Sequence, residues 1–181
     1  GAGDTAIFDG SDTDGVTLTG NVTVAVLTMQ AGYTGANAKI DANGFDITTT
    51  STLTITGGEL ELDASSDLTV GGALTVNGGL LDGASGTIDA NSSVTISSGT
   101  LIAPSGAASY IDTSFTVADN WSYTAGTFTP GTGVVTFDKS SGTQTITSNG
   151  SSFYMVTHIG AGVLQLSDNL ITTSSLNNHQ N

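Results

Sequence analysis

Apolar residues alternate with threonine along most of the chain. The runs fall at 16–19, 22–29, 53–56, 68–70, 74–76, 94–96, 115–117, 134–137 and 145–147. Period-two alternation predicts strands with one buried face and one hydroxylated, β-branched face. Short clusters such as Gly57-Gly58, Asn77-Gly78-Gly79, Asp82-Gly83 and Ser97-Ser98-Gly99 separate the runs as turns. No window shows the i, i+3, i+4 stripe of a helix. The expected class is all-β.

The strands also repeat. LTITGGELEL at 53–62 aligns with LTVNGGLLDG at 74–83, and that with VTISSGTLIA at 94–103. A second marker, an aliphatic residue followed by Asp and a small residue, recurs at Ile40-Asp41-Ala42, Leu62-Asp63-Ala64, Leu81-Asp82-Gly83, Ile88-Asp89-Ala90 and Ile111-Asp112-Thr113. A period of about twenty residues with three short strands is what one coil of a parallel β-helix requires, each coil burying its inner face against the next. The expectation is a right-handed solenoid over residues 1–120. Beyond Trp121 the repeat blurs, and residues 121–181 read as irregular coils or a small capping β segment. The alternative is an antiparallel β-sandwich, whose hairpins do not produce a twenty-residue self-similarity.

Composition narrows the function. Of 181 residues, 31 are Thr, 21 Ser and 25 Gly; the only basic side chains besides two histidines are Lys39 and Lys139, and the formal net charge is −14. Such a chain repels a phosphate backbone and an anionic bilayer, so neither nucleic acid nor membrane insertion is expected. No apolar run approaches the roughly 20 residues of a membrane-spanning helix. There is no cysteine, so stability must come from packing and hydrogen bonds. The chain opens on Gly1 rather than Met, which reads as an exported chain in mature form or as a fragment. With the Thr-, Ser- and Asn-rich composition, this points to an extracellular or cell-surface location.

Several stretches carry a family resemblance: GAGDTAIFDG at 1–10, VTLTGNVTV at 16–24, AGYTG at 31–35, FTPGTGVVTFD at 128–138 and SFYMVT at 152–157. They resemble segments of giant repetitive bacterial surface proteins and of the β-helical passenger regions of autotransporter-like adhesins. The resemblance implies an extracellular, structural or adhesive role. It carries no binding-site motif.

Candidate chemistry is sparse. Asp4, Asp9, Asp12 and Asp14 lie in a Gly-rich stretch that could supply oxygen ligands to Ca²⁺. EF-hand spacing fails there, since position one falls on Gly10 and position twelve on Asn21, so a solvated turn is the competing reading. Glu59 and Glu61 share a strand face, and Asp63, Asp82 and Asp89 could stack, but aligned turns give such ladders without a substrate. His158 and His179 read as packing or surface residues rather than as part of a Ser-His-Asp site. Lys39 and Lys139 raise the possibility of isopeptide cross-links, yet both look exposed. Trp121, Tyr123 and Phe128 could stack on a sugar but more simply cap a solenoid column. Asn-x-Ser/Thr sequons fall at Asn21, Asn91, Asn120 and Asn149.

The functional expectation is a non-enzymatic structural protein, a subunit of a surface fibre, sheath or filament built by end-to-end stacking. The alternative is a stalk or passenger segment of an adhesin that binds glycans or surfaces. Solenoid ends leave unpaired strand edges, and apolar residues near both ends form the candidate interface: Ile7 and Phe8 at one, Val163, Leu164, Leu166, Leu170 and Ile171 at the other. A chelator tests the acidic stretch. Calcium held there gives a lower melting temperature once it is removed, a difference that Asp12→Ala abolishes, whereas a solvated turn melts identically with and without chelator.

Overall fold

Each alternating run forms a strand too short to bury its apolar edge alone, so the chain stacks the strands coil upon coil. The computed structural model describes residues 1–11, 14–106, 109 and 112–179. Over these residues it is a parallel β-solenoid of eight coils, with no helix among them. The first three coils are β1 (Thr5–Phe8), β2 (Val16–Thr17) and β3 (Val22–Val24); β4 (Val26–Met29), β5 (Lys39–Asp41) and β6 (Ile47–Thr49); and β7 (Leu53–Ile55), β8 (Glu59–Glu61) and β9 (Asp67–Val70). Coils four and five are β10 (Leu74–Asp82) with β11 (Thr87–Ala90), and β12 (Val94–Ile102) with β13 (Phe115–Val117). Coil six holds β14 (Trp121–Tyr123), β15 (Thr127–Thr129) and β16 (Val134–Phe137). The last two are β17 (Thr143–Thr147) with β18 (Ser152–His158), and β19 (Val163–Leu166) with β20 (Ile171–Asn178).

The strands line three faces. The first runs β1-β4-β7-β10-β12-β14-β17-β19, the second β2-β5-β8-β10-β12-β15, and the third β3-β6-β9-β11-β13-β16-β18-β20. The first two belong to one twelve-stranded sheet because β10 and β12 run on through the corner between them. All pairings are parallel, Leu53 against Leu74 included, which excludes the sandwich.

Inward columns form the core, one along each face, with others such as Met29, Ile55, Val76 and Ile96 running beside them. The first-face column reads Ala6, Leu27, Leu53, Leu74, Val94, Trp121, Ile146, Leu166. The second reads Val16, Ile40, Leu60, Leu81, Leu101, Phe128. The third reads Val22, Ile47, Leu68, Ile88, Phe115, Val135, Val156, Leu176. The Asp-marked repeat mixed two of these columns. Ile40 pairs with Leu60, two residues before the marker's Leu62, and Ile88 lies on the third face.

Glycine makes the corner between the first two faces. Gly78 has φ +146°, and a Cβ there would meet the Thr56 carbonyl oxygen at 2.3 Å. Gly99, with φ +69°, repeats this one coil on against the Gly79 carbonyl oxygen at 2.4 Å. A side chain at either site would be both strained and overlapped.

The cross-section changes between coils six and seven. The second face ends at β15, and β17 turns directly into β18 through Asn149 and Gly150, both with positive φ, closed by the Ser151 N–H donating to the Ser148 carbonyl at 2.8 Å. Aromatic rings close the second-face column where it stops. Trp121 and Phe128 have centroids 4.9 Å apart, and Phe153 from coil seven lies 5.2 Å from each. Trp121 and Phe128 are therefore core residues, not an exposed sugar platform.

Each fully buried aliphatic contributes about 1.5–3 kcal/mol. Val76 is fully buried between Ile55 and Ile96 of the adjoining coils. Val76→Asp, which places a charge in that column, is expected to abolish the cooperative thermal transition. Thr75→Ala on the outer face should change stability by no more than about 0.5 kcal/mol, and equal effects from the two would contradict this column.

Candidate functional site: the two end coils

On the first and third faces every inner strand pairs on both sides, whereas β15 of the second face pairs only with β12 and the end coils have neighbours on one side only. Strands β1, β2 and β3 pair only with β4, β5 and β6, while β19 and β20 pair only with β17 and β18. At the first coil the core opens as an apolar mouth of about 120 Å³, rimmed by Ala6, Phe8, Val16, Leu18 and Val22 and floored by Leu27, Ile40 and Ile47. At the last coil the columns end on Leu166 and Leu176, exposed at 41% and 47%. Leu164 and Leu170 lie partly buried against the same core.

Exposed large hydrophobics concentrate at these ends. Among the described residues they are Ile7, Ile159, Val163, Leu166, Ile171 and Leu176, and all but Ile159 lie on the first or last coil. Within the interface expected from sequence, Phe8 and Leu166 share register with the inward Met29 and Ile146. Ile7, Val163 and Ile171 instead share register with Thr28, Thr143 and Ser152, and all three are exposed on the flanks of the edge strands. Sequence reading overlooked Leu176, twenty residues after its column neighbour Val156 and hidden in a polar tail. It also overlooked the mouth residues Val16, Leu18 and Val22.

The acidic stretch near the first coil is dispersed. The Asp4 carboxylate pairs with the Gly1 ammonium, and this contact lowers its pKa. Asp9 accepts from the Ser11 hydroxyl and the Ser11 N–H at 2.5 and 2.8 Å, which lowers its pKa as well. The Asp14 carbonyl accepts from the Tyr33 hydroxyl at 3.3 Å. Asp12 lies outside the described residues. Among the described residues no three His, Asp or Glu side chains converge as metal ligands.

Both lysines hold coils together and are not free on the surface. Lys39 contacts Glu61 and, at 3.5 Å, Asp41. Its hydrogen bond to Glu61 raises the ammonium pKa. An isopeptide bond needs an uncharged amine, so this environment opposes the cross-link. Lys139 pairs with Asp119 at 2.5 Å. The carboxylates aligned with Glu61 are Asp41 and Asp82 on the neighbouring second-face strands. Asp63 lies in a turn and Asp89 on the third face, accepting from Thr116 at 2.7 Å, so these two do not join Asp82 in a ladder. Burial, then Glu61, raises the pKa of Glu59.

His158 is buried in coil seven, its Nδ1 3.1 Å from Asn178 Oδ1, while its backbone carbonyl accepts from the His179 N–H. Tyr123 donates to the Gly126 carbonyl at 2.6 Å. Three of the four sequon asparagines tie coils together. Asn21 donates to Asp46 at 2.8 Å, Asn120 accepts from the Thr145 N–H at 2.8 Å, and Asn149 donates to the Thr124 carbonyl at 3.0 Å. Asn91 bonds locally to Asp89 at 3.2 Å. The amide nitrogens of Asn21 and Asn149 are thus engaged where a glycan would attach.

Comparison of the chain with protein-family models, with curated proteins and with solved structures finds no match in any of the three.

One acid stands apart electrostatically. Asp138 is half-buried with its Oδ1 unpartnered, and burial first, then Asp89, raises its pKa. A carboxyl whose folded pKa lies above its unfolded value destabilises the fold once ionised, and the penalty fades as pH falls through the raised pKa. Asp138→Asn is therefore expected to raise the thermal midpoint at pH 7, with the advantage shrinking on acidification. A midpoint that is unchanged at both pH values would contradict that environment.

Proposed function

We propose that the protein is a non-enzymatic structural subunit that self-associates end to end into an extracellular or cell-surface filament. The observation that carries this reading is the concentration of exposed large hydrophobics on the two end coils, where the strand edges also lack a partner. Unpaired edges invite strand addition, and exposed aliphatics add a hydrophobic gain of about 25 cal/mol per Å² covered. The threonine-rich outer faces and the absence of cysteine suit a chain that works in the open, held by packing and hydrogen bonds. Lys39 occupies Glu61, and inter-coil donors occupy Asp46, Asp67, Asp89 and Asp168, which supports a structural role for these carboxylates.

Net charge −14 opposes association at long range, but at physiological salt that repulsion is screened beyond about 8 Å. The contact that wins is short-range. Sedimentation and electron microscopy of the purified chain should show polymers whose length grows with concentration and with added salt. Leu166→Lys and Leu176→Lys, at the ends of two columns, should leave a folded subunit that no longer elongates. A folded chain that stays monomeric at high concentration and high salt overturns the reading.

A further inference from the structure

The first-face column begins at Ala6 and ends at Leu166, and the third-face column begins at Val22 and ends at Leu176. These four residues are the ends of otherwise continuous stacks, and the second column stops six coils in. Resting on the end-on reading above, we infer that the junction is head-to-tail and in register with these columns. Strand β19 of one copy pairs in parallel with β1 of the next, placing Leu166 on Ala6, and β20 pairs with β3, placing Leu176 on Val22.

The obvious obstacle is shape, because a two-faced last coil must meet a three-faced first coil. The molecule already contains such a contact. Between coils six and seven a three-faced coil meets a two-faced one, yet Trp121 stays in register with Ile146 and Val135 with Val156. Two shared faces are enough to carry both ladders across a change in cross-section. At the junction the same two coil types meet in the opposite order.

Polarity follows from strand direction and charge. A head-to-tail contact continues the parallel ladder that runs through all eight coils, whereas two like ends related by a two-fold axis bring edge strands together antiparallel. The first coil and its loop also carry Asp4, Asp9 and Asp14, so two first coils would set these carboxylates against their own copies. The last coil carries Asp168, whose carboxylate is already turned back onto Ser148 and Asn149 of coil seven. The first coil therefore meets less repulsion from a last coil than from its own copy.

The chain has no cysteine, so engineered thiols report the junction directly. With Leu166 on Ala6, Gln165 faces Thr5 of the next copy, with Cα atoms about 4.8 Å apart, within disulfide reach. Both residues are exposed. Under mild oxidation in assembling conditions, Thr5→Cys/Gln165→Cys should give a ladder of covalent dimers, trimers and higher species that collapses to monomer on reduction. Thr23→Cys/Asn177→Cys should do the same on the third face. Either single variant of the first pair, and the shifted pair Thr5→Cys/Val163→Cys, should stay monomeric on a denaturing gel. Unchanged melting temperatures would show that each variant folds. If the chains assemble but cross-link only as single-variant dimers, only through the shifted pair, or not at all, this junction is wrong while end-on association stands. Folded chains that do not assemble overturn both.

Discussion

No coil of this molecule can satisfy its own backbone. Every strand N–H and C=O that points along the axis needs the coil before or after it, and an unmet polar group in a buried strand costs about 1–3 kcal/mol. The rest of the structure depends on that constraint. It forces one parallel register on all three faces, and that register stacks the apolar residues into columns. Stability then accumulates between nearest neighbours, as expected for repeat proteins.

The corners and turns obey the same rule. Gly78 and Gly99 are needed because one coil's corner lies against the carbonyl groups of the preceding corner. Polar side chains at strand starts, corners and turns clamp adjacent coils: Thr87 donates to Asp67 at 2.6 Å, Ser97 to Asn77 at 3.0 Å and Ser148 to Asp168 at 2.8 Å. Each clamp joins residues 20 apart in sequence, one coil's length. Side-chain hydrogen bonds between coils thus fix the register in a chain without disulfides. Where a clamp is missing, as at Asp138, burial of the carboxyl is left partly uncompensated.

The sequence made the strands and the period legible because alternation and near-identity coincide in LTITGGELEL, LTVNGGLLDG and VTISSGTLIA. Their pairing in the structure, Leu53 to Leu74 to Val94, follows the same alignment. The Asp marker misled because an acidic residue after an aliphatic occurs on two different faces, and only backbone register separates Leu60 from Leu62. The later coils were obscure for a physical reason. Trp121 and Phe128 take aliphatic positions in their columns, and Phe153 packs on both where one face ends, so composition changes while the ladders continue. Leu176 sits among Asn, Ser and Thr, and no local pattern marks it as the end of a column. The lysines looked exposed because their partners, Glu61 and Asp119, lie 22 and 20 residues away.

The ends differ from the sides in what they offer a second copy. Along the flanks, the outward positions carry threonine and stacked carboxylates such as Asp41, Glu61 and Asp82, relieved by a single lysine. Flank-to-flank contact would bring these like charges together while covering little apolar surface, so repulsion opposes sheets and bundles. At the ends, the columns expose aliphatics and the edges expose unpaired donors and acceptors, both of which act only at contact distance. Screening by salt removes the long-range term without weakening the short-range one. A charge distribution that opposes lateral contact, together with apolar column ends, would confine the proposed association to one dimension.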